Sequence, residues 1–157
     1  MARVLIVGCG CRGRALAAAL IADGHAVRGT TRDAASTAAI EESGAEAVVA
    51  DPDRLGTLIS ALAGVSAICW LMGGAADAPA VNGERLETLT ERLVDTHVRG
   101  LVYEAAGPAG PGILGPGEEI VRRAAATWHM PVEVVSADPA DHDTWLASMR
   151  AAVGRIL

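Results

Sequence analysis

Three glycines and the residues between them carry the first chemical signal of this chain. Residues 4–13 read VLIVGCGCRG, an apolar run from Val4 to Val7 that feeds straight into Gly8-x-Gly10-x-x-Gly13. Each glycine has a job in a turn that receives a pyrophosphate. Gly8 allows the tight turn, Gly10 lets the anion approach the backbone, and Gly13 lets the following helix pack close to the strand. The first amides of that helix, with Cys11 and Arg12 among its opening residues, then face the anion, and the helix dipole favours negative charge there. A strand before the motif and a helical pattern after it are the context that a dinucleotide fingerprint requires.

The second signal is at the end of the second strand, where the adenosine ribose of such a ligand lies. An Asp or Glu there holds the 2′-hydroxyl of NAD. This strand reads AVRGTTRD. Counting about 20 residues from Gly13 lands on Asp33. Aligning the strand by its apolar pattern instead puts Thr31 at the acidic position, with Arg32 next. The second alignment is preferred, because Asp33 also suits the cap of the next helix. A hydroxyl followed by a planar cation suits a 2′-phosphate, so NADP(H) is the expected cofactor and NAD(H) the alternative. Arg12 adds positive potential at the turn, whereas Arg14 and Arg28 are expected in solvent.

Further along, Asp51 ends the third strand, where it meets adenine or caps the next helix. Leu71 and Gly73 end the fourth strand with an apolar and a small residue, which suits a backbone passing close to a ribose. Glu104 ends the fifth strand near the reacting end of a dinucleotide and is the candidate general base; no other catalytic residue is assigned. Cys9, Cys11 and Cys69 make an odd count without a zinc-like spacing and are read as reduced thiols. Asp141-His142-Asp143 falls at a helix start, where acids serve as caps. No Gly-x-Ser-x-Gly and no Gly-Lys-Ser/Thr phosphate loop is present.

These residues need a scaffold, and the apolar pattern supplies one. Strands are predicted over 3–7, 26–31, 46–50, 66–72, 101–106 and 132–136. Helices are predicted over 11–23, 33–43, 53–63, 83–98, 117–128 and 142–155. Asp33, Asn82 and Asp141 are read as N-caps, Pro52 as a first-turn residue, and Gly24, Gly44, Gly64 and Gly100 as residues that end helices. Short Val/Ile-rich strands alternating with helices predict a doubly wound α/β fold: a six-stranded parallel sheet in a three-layer αβα sandwich of Rossmann type. Strand order 3-2-1-4-5-6 follows from the glycine motif after the first strand. One domain over residues 1–157 is expected. Residues 73–81 and the Gly/Pro-rich 107–117 are predicted loops at the ligand end of the sheet.

Composition narrows the partners. The net charge of −6 disfavours nucleic acid, which calls for a basic face. No apolar run approaches the roughly 20 residues that span a bilayer, so no membrane partner is expected. The start of the chain runs directly into a strand, and a cytoplasmic location is the expectation. All 13 basic residues are arginine, and the chain contains no lysine.

The segments VLIVGCGCRGRALAAALIADGHAVRGTTR, AEAVVAD and LVYEAAG resemble the NAD(P)-binding half of sugar-nucleotide epimerase-like proteins, atypical members of the extended short-chain dehydrogenase/reductase group. The match is best over residues 3–51 and looser over 65–136. The resemblance implies that Gly8, Gly10 and Gly13 bind pyrophosphate, that Thr31 and Arg32 meet the adenosine end, and that Asp51 meets adenine. It also implies a homodimer built on the helices predicted at 83–98 and 117–128. The departures from the pattern are chemical. Members of that group catalyse hydride transfer with Tyr-x-x-x-Lys; here Tyr103 lies inside the fifth strand and no lysine exists. The chain is also shorter than a full epimerase and lacks the substrate-binding region. The expectation is a cofactor-binding regulator or subunit, with an active small oxidoreductase as the alternative. A methyltransferase-like fold would call for an acid closing the second strand and ranks below both.

Overall fold

A computed structural model of the chain describes residues 2–157. Six strands form one parallel sheet: β1 (Arg3–Val7), β2 (Ala26–Thr31), β3 (Glu46–Val49), β4 (Ala67–Trp70), β5 (Gly100–Glu104) and β6 (Val132–Val135). Their order is β3-β2-β1-β4-β5-β6, as expected for a doubly wound sheet. The order reverses at β1, which pairs with both β2 and β4 (Val4 opposite Val27 and Ala67). Ligands of open α/β sheets bind at the carboxyl ends of the strands beside such a reversal.

The strands are apolar on both faces because both faces are covered. Along β1, Val4 and Ile6 pack into one cluster, with Leu16, Leu20, Ile40 and Trp145. Leu5 and Val7 point the other way, toward Leu58, Leu86, Leu89 and Val121. The first layer comes from α1 (Cys11–Ala22), α2 (Thr37–Glu42) and α7 (His142–Ile156). The second comes from α3 (Leu55–Ser60), the single turn α4 (Ala78–Val81), α5 (Glu84–Leu93) and α6 (Pro111–Trp128). Among the described residues, no helix is long and apolar enough to cross a membrane.

Several predicted boundaries move, each for a local reason. The helix expected over 33–43 splits, because Asp33 accepts the Ala35 N–H at 2.9 Å and tightens the chain into a 3-10 turn before α2. The helix expected over 53–63 shortens to α3, with Pro52 left in the preceding turn. The helix expected to reach 98 stops at Leu93, where Thr96 folds its hydroxyl back onto the Leu93 carbonyl, and His97 lies outside it. Gly83, not Asn82, occupies the cap of α5. The predicted loop over 107–117 is helical from Pro111, a first-turn position at which the missing N–H costs nothing. Gly24, Gly44 and Gly64 have positive φ, as helix-ending residues do, but Gly100 opens β5. Arg28 is not in solvent. It is buried, donates to the Ala61 and Ala63 carbonyls at 2.6 and 2.9 Å, and pairs with Glu46.

Candidate functional site

The turn between β1 and α1 has the geometry its glycines imply. Gly8 has φ +83°, and a Cβ there would strike the carbonyl oxygen of Leu71, just past the end of β4. A Cβ on Gly13 would press on the Gly8 carbonyl at 3.2 Å and Ile6 at 3.3 Å, so the helix sits directly on the strand. A Cβ on Gly10 would meet nothing within 4 Å. The crowded glycines are those that hold the turn together, and the open one lines a cleft. The first bond of the helix runs from the Arg14 N–H to the Gly10 carbonyl at 2.8 Å, which leaves the amides of Cys11, Arg12 and Gly13 ahead of it. Thr30 braces the turn by accepting the Gly8 N–H on its hydroxyl at 3.2 Å and the Cys9 N–H on its carbonyl at 3.0 Å.

A cleft of about 370 Å³ opens from this turn along the end of β2. Gly8, Gly10, Arg12, Thr31, Arg32 and Leu71 all line it, so six of the residues singled out from the sequence share one surface. Arg14, Ser36 and Met72 also line it. Thr31 and Arg32 thus sit in the same groove as the glycine turn. The Arg32 guanidinium has two carboxylate neighbours. It donates to both oxygens of Asp77, at 2.8 and 2.9 Å, and its Nε lies 3.3 Å from Asp51. The hydrogen bond to Asp77 is the main influence pushing the Arg32 pKa above its usual value. Asp51 also accepts the Asp53 N–H at 2.9 Å. Cys11 is exposed at the first position of α1, whereas Cys9 and Cys69 are buried fillers.

Gly73 and Glu104 stand past β4 and at the end of β5. Gly73 is buried under the next loop, with the Ala106 carbonyl and Leu114 against it. Glu104 is fully buried and is not alone. Arg12 forms an ion pair with Glu104 Oε2, and Trp145 donates its indole N–H to the same oxygen at 2.7 Å. The Arg12 guanidinium also lies over the Trp145 ring, 5.1 Å from its centroid. The charge that Arg12 brings to the turn is therefore shared with Glu104. The second oxygen, Oε1, is buried without a hydrogen-bond partner. Trp145 had no sequence signal beyond its place on an amphipathic helix.

Tyr103 is a structural residue. It is fully buried and donates its hydroxyl to Asn82 Oδ1 at 2.9 Å. Burial is the main cause pushing its phenol above the usual range. Asn82 in turn donates to the carbonyls of Met72 and Ala78, at 3.1 and 3.0 Å. Gly117 leaves room for the phenol, since a Cβ there would collide with it. This buried knot fixes the far end of the segment that follows β4. Asp141, the cap expected for the last helix, accepts the Thr144 N–H at 3.4 Å.

The family model described as NAD(P)H-binding matches residues 8–129. No curated protein matches the chain. Among solved structures, a short-chain dehydrogenase/reductase superfamily protein from Agrobacterium tumefaciens, with bound NAD, is 27% identical with a TM-score of 0.67, over 84% of this chain and 48% of that one. UDP-glucose 4-epimerase from Thermotoga maritima, with UDP-glucose, is 15% identical with a TM-score of 0.69, over 84% and 54%. Vestitone reductase from alfalfa is 14% identical with a TM-score of 0.66, over 85% and 56%. The chain spans about half the length of these structures. Its glycine turn, its sheet order and the match over most of its length agree: the chain belongs to the NAD(P)H-binding family, with the Rossmann fold of the short-chain dehydrogenase/reductase and epimerase proteins.

Proposed function

We propose that this chain binds NADP(H) in preference to NAD(H) and works as a cofactor-responsive regulator or subunit rather than by Tyr/Lys catalysis. One observation carries the reading: the open face of Gly10 and the Thr31–Arg32 pair line the same cleft. A pyrophosphate on the turn leaves the adenosine ribose beside a hydroxyl and a guanidinium, groups that suit a 2′-phosphate. Gly8, Gly10, Gly13, Cys11 and Arg12 are the residues assigned to the pyrophosphate. Thr31 and Arg32 are assigned to the phosphorylated ribose, Asp51 to adenine, and Leu71 and Gly73 to the backbone wall beside the second ribose. The cofactor, when bound, supplies a hydride-carrying ring at the β5 end. Titration calorimetry with NADPH and NADH tests the preference. Tighter NADPH binding that depends on Arg32 supports it, and tighter NADH binding contradicts it.

A second reading is an active NADP(H)-dependent oxidoreductase whose site is completed by a dimer mate or partner. The buried Oε1 of Glu104, which has no hydrogen-bond partner, is the observation that favours it. A screen of NADPH oxidation with aldehydes, quinones and flavins separates the readings. The assembly proposed is a homodimer over α5 and α6, next to which Val94 and Trp128 remain 51% and 45% exposed. A cytoplasmic location completes the proposal, and sedimentation of the purified chain checks its oligomeric part.

A further inference from the structure

Arg32 is the residue on which phosphate recognition turns, and its donor edge is already filled. Nη1 donates to Asp77 Oδ2 at 2.9 Å and Nη2 to Oδ1 at 2.8 Å, a two-pronged match of fork to carboxylate. Nε faces Asp51. A 2′-phosphate needs the same fork, so it and Asp77 cannot both have it.

Asp77 comes from the segment between β4 and α5, whose Gly74 and Ala75 line the same cleft as Arg32. It stands at the cap position of α4, yet its carboxylate makes no hydrogen bond to that helix. The carboxylate is bonded to Arg32 instead. The segment's backbone is held by the buried Asn82–Met72–Tyr103 knot and by the Ala80 and Val81 N–H groups, which donate to the Asp77 carbonyl. The side chains of the Arg32–Asp77 pair are 39% and 27% exposed. A pair this exposed is screened by water and weighs no more than about fivefold in an equilibrium constant. A phosphate dianion displaces it; the neutral 2′-hydroxyl of NAD(H) has no charge with which to do so.

We propose that Asp77 is a specificity-determining residue that stands in for the 2′-phosphate: it occupies the Arg32 fork in the free protein and must be displaced by NADP(H) but not by NAD(H). The proposal rests on the NADP(H) reading above. It makes the cleft less selective than Thr31 and Arg32 alone would make it. It asks only the Asp77 side chain to move when a phosphorylated ribose binds, since the Asp77 carbonyl stays bonded to the Ala80 and Val81 N–H groups.

The test is a set of dissociation constants for NADPH and NADH, and for adenosine 2′,5′-bisphosphate against AMP as probes of the adenosine end alone. The proteins are the natural chain, Asp77→Asn, Asp77→Ala, Arg32→Ala and the Asp77→Asn/Arg32→Ala double variant. Both Asp77 variants are expected to bind NADPH and the bisphosphate about fivefold more tightly, with NADH and AMP changed by less than about twofold. The gain is expected to vanish when Arg32 is also removed. An unchanged ratio of NADPH to NADH affinity in both Asp77 variants, with Arg32→Ala still lowering that affinity ratio, overturns the role of Asp77 and leaves the NADP(H) reading standing. A ratio that Arg32→Ala does not alter overturns the NADP(H) reading itself, and the role of Asp77 with it.

Discussion

Trp145 holds Glu104 by an indole N–H bond of 2.7 Å, joining the last helix to the carboxyl end of β5. The bond ties residues 41 positions apart in sequence and fixes a buried carboxylate beside the glycine turn. Trp145→Phe removes the donor together with part of the buried indole volume. It is expected to destabilise the protein by at least about 1–3 kcal/mol, the cost of leaving a buried acceptor short of a partner, with the lost packing added to it. Urea unfolding measures this, and a change under about 0.5 kcal/mol, as for an ordinary surface substitution, would show that the bond contributes nothing.

Arg12 and Glu104 make the same point through charge. Removing Arg12 leaves a buried carboxylate without its cation, a loss that costs about 3–5 kcal/mol in a buried pair and less here, because Arg12 is partly exposed. Arg12→Ala is therefore expected to be more destabilising than Arg12→Ala combined with Glu104→Gln. A double-mutant cycle checks the order. Strict additivity of the two changes would mean that the pair is not coupled.

Gly8 and Gly10 should behave in opposite ways. Gly8→Ala meets both a positive φ and the Leu71 carbonyl, and a loss of about 2–4 kcal/mol is expected. Gly10→Ala meets nothing in the protein, so stability should stay within about 0.5 kcal/mol. The added methyl instead projects where a pyrophosphate would lie, and dinucleotide binding should weaken at least about tenfold. Thermal unfolding and calorimetry on the same samples separate the effects. Unweakened binding by Gly10→Ala would remove the turn from the cofactor site.

Burial holds two thiols in their protonated form, which gives the protein an alkaline limit. Desolvation pushes Cys9 from 9.0 to about 11 and Cys69 from 9.0 to about 12. Both folded-state values lie above the unfolded one, so above pH 9 the unfolded chain sheds thiol protons that the folded chain keeps. The stabilisation is fully present below about pH 9 and falls as pH rises toward 11, by up to about 1.4 kcal/mol per pH unit for each thiol. Stability curves between pH 7 and 11 measure it. At neutral pH a thiol reagent is expected to modify exposed Cys11 alone in the folded protein.

The sequence was most legible where one short segment carries its own geometry. The turn from β1 to α1 needs three glycines for three local reasons; those for Gly8 and Gly13 reappear in the structure as close contacts, and Gly10 stands open. The sheet order was legible because that turn and the alternation of strands and helices leave few topologies open. Contacts between distant residues were not legible. Asp77 reaches Arg32 from 45 positions away, and neither its loop nor its charge announces a partner. Arg28 looked like a solvent residue because arginine usually is, yet two carbonyls after α3 receive its guanidinium. Glycine and proline hid the start of α6, because Pro111 opens a helix as readily as it breaks one.

NADP(H) binding is tested most directly by thermal unfolding of the purified chain with saturating NADPH, NADH or S-adenosylmethionine. A ligand at 100 times its dissociation constant adds about 2.7 kcal/mol to stability, which for a domain of this size raises the midpoint by roughly 5–11 °C. The expected result is a rise with NADPH, a smaller rise with NADH at the same concentration, and none with S-adenosylmethionine. An unmoved midpoint with both dinucleotides would contradict the cofactor site, and a larger rise with NADH would contradict the role given to Arg32.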